Sequence, residues 1–283
     1  MRGHAIAAPR PKESIIPSDI DSISLRAALR QQLRSDQLFG LTVVPISRDT
    51  LDHTAAESGL RRANPSPGHA SSAPTPGLST TEKTERLSLL DNSQVKGCRK
   101  CSLCETRTQT VFGQGNPDAR LVFVGEAPGF EEDRQGLAFV GKAGQLLTRM
   151  IAAMGLTRED VYICNVLKCR PPNNRDPSAD EILACSPYLR EQLATIRPQV
   201  LVALGSPAAK TLLNTAESIG RLRGRFHDYY ASGATGVGNA IPLMPTYHPA
   251  YLLRNPADKG KTWDDLQQVM RFLELPIPPR SSG

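Results

Sequence analysis

The stretch Leu121-Val-Phe-Val-Gly-Glu-Ala-Pro-Gly-Phe-Glu-Glu-Asp133 opens with four apolar residues and runs straight into a Gly-Glu-Ala-Pro-Gly turn. A short apolar run of β-branched and aromatic residues that ends on Gly and Pro reads as a buried strand delivering its carboxyl end into a loop. In open parallel α/β sheets, ligands bind outside the carboxyl ends of the strands, which makes Glu126 a candidate site residue. An ordinary turn with a solvated acid is the competing reading of this stretch alone.

Three further strand-like runs follow, at 161–166, 200–204 and 241–247, with helical stretches between them. Residues 142–154 put Leu146, Leu147, Met150, Ile151 and Met154 on one helical face. Ser178 with Glu181 forms a capping box for a helix through about Ile196, and residues 84–92 read as a short helix ahead of Cys98. Ser206-Pro207 reads as a cap followed by Pro at the first helical position, and Thr262 with Asp265 as a capping box for the last helix. Strands alternating with helices predict an α/β fold, a small four-stranded parallel sheet flanked by helices on both faces. Each strand ends in a chemically unusual loop: Gly125-Glu126, Asn165 with Cys169, Gly205-Ser206, and His248-Pro249.

The first 85 or so residues differ in kind. They are crowded with Pro, Ser, Thr and Ala, as in Asn64-Pro-Ser-Pro-Gly-His-Ala-Ser-Ser-Ala-Pro-Thr-Pro-Gly77. Such a segment buries too little apolar surface to offset an ordering cost of roughly 1 to 2 kcal/mol per residue. We read 1–85 as a mostly disordered extension, 86–276 as one folded domain and 277–283 as a tail. Within the extension, Ile20, Ile23, Leu25, Leu29, Leu33 and Leu38 space as an amphipathic helix over 18–39, stopped by Gly40.

The formal net charge is +6, and 23 Lys and Arg against 18 Asp and Glu fall from Lys96 onward, so the excess sits on the folded part. That balance leans toward an anionic partner. No apolar run approaches the ~20 residues of a membrane span, and residues 1–14 lack the apolar centre of a secretory signal. The expectation is a cytoplasmic protein without membrane contact, whose six cysteines have a purpose other than disulfides. Cys98-Arg-Lys-Cys101 has ligand spacing, and Cys169 and Cys185 lie farther along. One pair and two singles can close a four-thiolate site, and spacing alone fits zinc and an iron–sulphur cluster equally. Cys104 is the rival ligand, and Cys164, inside a strand, is most simply a core residue.

Six motifs stand in order: Cys98-x-x-Cys101, Val111-Phe-Gly-Gln-Gly115, Gly125-Glu-Ala-Pro-Gly129, Ala138-Phe-Val-Gly-Lys-Ala-Gly144, Asn165-Val-Leu-Lys-Cys-Arg-Pro-Pro172 and His248-Pro-Ala-Tyr-Leu-Leu-Arg-Asn-Pro256. Together they closely resemble the family 4 uracil-DNA glycosylases, over about residues 98–273 and not over the first 85. The resemblance implies a hydrolase that removes uracil from single- or double-stranded DNA and leaves an abasic site. It implies the three-layer glycosylase fold with a [4Fe-4S] cluster held by Cys98, Cys101, Cys169 and Cys185.

Roles follow by position. Phe139 would stack on the flipped base, and Asn165 would accept from uracil N3–H and donate to O4, a pairing cytosine presents in reverse. His248, neutral or charged, would stabilise the departing uracil anion at O2. Glu126 would place or polarise the water. In the wider superfamily the water-activating carboxylate falls at the position of Ala127, which makes Glu126 the less secure assignment. Glu132 would shape the wall beside uracil C5. Leu252, Leu253 and Arg254 would enter the minor groove, and Arg254, Lys142, Lys168 and Arg170 would meet phosphates. A monomer is expected, contacting a repair or replication protein through the N-terminal extension. Two alternatives are a non-catalytic iron–sulphur DNA-binding factor and a relative that traps uracil-DNA covalently through a histidine on an inserted loop. The second fits poorly, because Cys169-Arg-Pro-Pro-Asn-Asn-Arg175 runs directly into the capped helix.

Overall fold

The computed structural model describes residues 78–231 and 239–278. Its first element is helix α1 (Thr80–Leu90), entered through a capping box in which Ser79 Oγ accepts from Glu82 N–H and the Glu82 carboxylate accepts from Ser79 N–H. One π-helical turn, Asp91–Val95, leads on toward Cys98. The helix expected over 84–92 thus starts four residues earlier, inside the stretch read as extension, because Ser79-x-x-Glu82 is itself a start signal. The amphipathic pattern at 18–39 and residues 279–283 of the tail lie outside the described residues.

Among the described residues the sheet has six strands: β1 (Gln114–Gly115), β2 (Leu121–Gly125), β3 (Tyr162–Asn165), β4 (Val200–Leu204), β5 (His227–Tyr230) and β6 (Ala240–Thr246), in the order β1-β3-β2-β4-β6-β5. The inner four, β3, β2, β4 and β6, are parallel, as the alternation of strands and helices predicts. The outer two pair antiparallel and enlarge the expected four-stranded sheet. β1 is two residues long, and β5 carries His227 and Asp228 with a mixed burial pattern, so neither presents a buried apolar run.

All five residues of β2 and of β4 are buried, which is why they read as continuous apolar runs and not as alternating ones. Their side chains divide the core in two. Val122, Val124, Cys164, Leu201 and Ala203 pack with Leu189 and Leu193 of α4 (Ala179–Ile196) and Ala208 of α5 (Ser206–Leu213). Leu121, Phe123, Ile163, Val202 and Leu204 pack with Leu147 and Ile151 of α3 (Lys142–Ala153) and Leu266 and Met270 of α8 (Lys259–Phe272). Burying one such side chain contributes about 1.5–3 kcal/mol, so both layers are held firmly to the sheet. Three short helices, α2 (Phe130–Gln135), α6 (Ile219–Leu222) and α7 (Pro249–Arg254), lie in the connections.

The capping box of Ser178 and Glu181 forms as expected, and Arg175 adds two bonds to the same carboxylate, at 2.8 and 2.6 Å. Two other caps are corrected. Gly205, not Ser206, precedes α5, with φ +92°, and Ser206 is already helical. A Cβ at Gly205 would stand 2.9 Å from the Cβ of His248, so this glycine admits the histidine beside it. Helix α8 begins at Lys259, which leaves Thr262 and Asp265 inside it and buried. Asp265 accepts instead from Thr246 Oγ1 at 2.6 Å and from two nitrogens of Arg223, tying α8 to the end of β6.

Candidate active site

The parallel strands bring their carboxyl ends to one rim, where a cavity of about 400 Å³ is lined by Glu126, Ala127, Glu132, Phe139, Asn165 and His248, with Arg254 beside them. A larger groove of about 490 Å³ between α4, α5 and β5 contains none of these residues. What marks the smaller cavity is unpartnered chemistry. Asn165 closes β3, is 1% exposed, and its Oδ1 has no hydrogen-bond partner. Gly125 lies opposite it in the β2–β3 register, and a Cβ there would fall 2.3 Å from Asn165 Oδ1 and 2.6 Å from Phe139 Cζ. Only a glycine lets the amide and the ring share that floor. Val166 N–H and Leu167 N–H donate to Gly125 O and Glu126 O, both at 2.9 Å, locking the two loops together.

Glu126 Oε1 is likewise buried and unpartnered. Burial, reinforced by the nearby charge of Asp176, pushes its carboxyl up to about 7. His248 caps α7, its Nδ1 accepting from Ala250 N–H at 3.1 Å. Burial, then the charge of Arg254, pulls its imidazole down to about 4 against a weaker opposing pull from Glu132. At neutral pH the ring is therefore uncharged, and with Nδ1 accepting, its proton resides on Nε2. The Phe139 ring stands 5.7 Å from the His248 ring, tilted by 35°.

Phe139 itself sits in a left-handed backbone conformation, φ +54°, which is costly for a bulky residue. Its loop is clamped from two sides. Glu132 Oε1 accepts from Val140 N–H at 2.9 Å and Gly141 N–H at 3.1 Å. Arg158 donates to Ala138 O at 2.8 Å and Phe139 O at 3.3 Å. A Cβ at Gly144 would lie 1.8 Å from Phe139 O, so α3 can approach only through glycine. Glu132, expected along the cavity wall, does line it while also bonding these amides. Arg158 belongs to no motif in the sequence, and nothing local there points to Phe139.

The family model for the uracil DNA glycosylase superfamily matches residues 112–267. The chain belongs to that superfamily. It is 46% identical over 185 residues to the type-4 uracil-DNA glycosylase of Saccharolobus solfataricus, covering 64% of this chain and 83% of the relative. The type-4 uracil-DNA glycosylase of Archaeoglobus fulgidus is 45% identical over 180 residues, 62% and 88% of the two chains. That of Thermotoga maritima is 42% identical over 193 residues, 67% of this chain and 96% of the relative.

In this member of the uracil-DNA glycosylase superfamily, Cys98, Cys101, Cys169 and Cys185 all line one small cavity. Donors stand beside three of the sulfurs: Tyr188 Oη at 3.2 Å from Cys98, Arg107 Nη1 at 3.1 Å from Cys169 and Lys168 N–H at 3.2 Å from Cys185. Cys164 is fully buried in β3. Lys168, expected on a phosphate, is 1% exposed; its Nζ donates to Asn165 O at 2.7 Å and Gln192 Oε1 at 2.6 Å. Leu252 is also 1% exposed and packs near Leu146 and Leu266 between α3 and α8, so it is not free to enter a groove. Leu253, at 40%, and Arg254 do face outward, as does Lys142 at the start of α3. No helix among the described residues is long and apolar enough to cross a membrane.

Proposed function

We propose that the protein hydrolyses the N-glycosidic bond of uracil in DNA, releasing the free base and leaving an abasic site. The observation that carries this is the buried, unpartnered Asn165 Oδ1 in a cavity walled by an aromatic ring and an uncharged imidazole. An unpaired buried acceptor costs roughly 1–3 kcal/mol, recovered when a ligand N–H meets it. Uracil presents N3–H to that oxygen and O4 to the amide N–H, and cytosine presents the reverse. The names of the type-4 relatives support the same substrate.

A base inside a duplex is out of reach of water, so the nucleotide must be extruded and held. Phe139 would take the base on its face. Cleavage builds positive charge on the sugar and negative charge on the departing uracil. His248 Nε2–H would donate to the oxygen that gains this charge, and one such preorganised donor is worth about 3–4 kcal/mol. Ionised Glu126 would balance the sugar and hold the attacking water. Ala127 lines the cavity but has no group that can move a proton, and Glu132 Oε1 is engaged on the loop amides. Glu126 is therefore the better placed base.

The four cysteines fit a [4Fe-4S] cluster, being soft donors gathered on one cavity with N–H and O–H groups beside three of the sulfurs. When bound, it would supply a cross-link between segments distant in sequence. Lys142, Leu253 and Arg254 would meet the DNA. The alternatives are not favoured: the type-4 relatives carry an enzyme's name, and the segment after Cys169 passes through one 3₁₀ turn, Pro172–Asn174, directly into capped α4.

Incubation with uracil-containing single- and double-stranded oligonucleotides, followed by alkali, should cut the strand at uracil. No scission above an inactive control rejects the proposal, and a protein–DNA band surviving denaturation would indicate trapping instead.

A further inference from the structure

Phe130, the first residue of α2, directly follows the cavity residues Pro128 and Gly129, yet it is 57% exposed. The Arg170 guanidinium lies 5.1 Å from the centre of its ring. Arg170 in turn precedes the cavity residue Pro171, and its Nε donates to Asn174 Oδ1 at 2.8 Å, Asn174 being another lining residue. The two loops that supply Glu126 and follow Asn165 thus also build a flat apolar surface with a fixed cation at the mouth of the site. Exposed Phe272, by contrast, packs on Phe226 at 5.4 Å.

We propose that Phe130, braced by Arg170, is a stacking shelf for the unpaired nucleobase adjoining the extruded uracil. The inference rests on the function proposed above. Every base has a π-face, so such a shelf accepts any neighbour, and an adjoining guanidinium favours the attached anionic backbone. In single-stranded DNA the neighbouring base has a free face once uracil leaves the stack. In a duplex the same face is freed, but the base is held by its pair and its remaining stack and cannot turn onto the shelf, so the shelf adds less. It therefore raises activity on single strands relative to duplex.

The test compares kcat/KM of the wild-type chain, Phe130→Ala and Phe130→Trp on single-stranded oligonucleotides whose base on the 5′ or 3′ side of uracil is present or replaced by an abasic spacer. Wild type should lose about tenfold when the spacer occupies the stacked side, as typical for one base–aromatic stack. Phe130→Ala should be lower by a similar factor on the complete substrate and lose nothing further with the spacer. Phe130→Trp should restore both the activity and the spacer penalty, while duplex cleavage changes less in all three. Wild-type activity in Phe130→Ala on single strands, or a spacer penalty undiminished in that variant, would overturn the shelf. A second arm places 2-aminopurine beside uracil and follows its fluorescence on binding; quenching by wild type and not by Phe130→Ala is expected, and equal quenching overturns the proposal. If no protein releases uracil, the enzymatic assignment fails, and the fluorescence arm still decides the shelf.

Discussion

At the residue scale the cavity holds two titrating groups displaced in opposite directions. The Glu126 carboxyl is pushed up to about 7 and the His248 imidazole pulled down to about 4, each mainly by burial. A base must be ionised to act, so kcat/KM should rise with pH through about 7. His248, already neutral, should add no second step above about 5, one unit above its pKa. Glu126→Gln should abolish that rise and lower kcat by roughly 10²–10⁴, the usual worth of a positioned acid or base. A variant that kept the pH step would move the base elsewhere. Stability carries the opposite sign. A buried carboxyl with a raised pKa favours folding while protonated, so stability should fall as pH rises from the ordinary value through about 7 and then level off. Thermal melts of Glu126→Gln should lack that slope. Asn165 gives an independent check: Asn165→Asp should erase the preference for uracil over cytosine, read by assaying both bases in one sequence context. Full selectivity in that variant would assign base reading to another group.

The Phe139 loop shows how whole elements position single atoms. Its left-handed backbone is maintained by Glu132 on the amides and Arg158 on the carbonyls. Arg158→Ala should leave the fold intact while raising KM and lowering kcat, because the ring proposed to stack on uracil, once freed to move, would bind and orient it less well. Unchanged kinetics would show that the loop holds itself. Much of this scaffold is legible in the sequence. β2 and β4 announce themselves as apolar runs because both their faces are covered. The Ser178 box is legible because residues 175–178, directly before the helix, are not helical. Thr262 and Asp265 mislead for the converse reason: the same spacing occurs inside a helix that Lys259 has already begun, where Asp265 serves Arg223 and Thr246. The site residues at strand ends are visible as motifs. Arg158, Gln192 and the burial of Lys168 and Leu252 are not, because each depends on contacts between segments far apart in the chain.

At the scale of the molecule, the cysteine-lined cavity and the candidate active-site cavity are joined through one short segment. Lys168 reaches back to Asn165 O through its Nζ and across to Cys185 through its backbone N–H, and Cys169 follows it. The backbone that carries Asn165 is therefore anchored beside the four sulfurs. Protein purified without air should be brown with about four irons per chain, as four-thiolate clusters require, and a colourless, zinc-rich protein would overturn the assignment. Links that close long loops stabilise by roughly 3–5 kcal/mol in chain entropy. Stripping the metal should then lower the melting temperature by about 10 °C, at 2–4 °C per kcal/mol for a domain of this size. Because Asn165 shares the anchor, uracil release and uracil-over-cytosine selectivity should decline in step with iron content across partially stripped samples. Activity that survived full removal of iron would show that Lys168 and Gln192 hold Asn165 without help from the cysteine site.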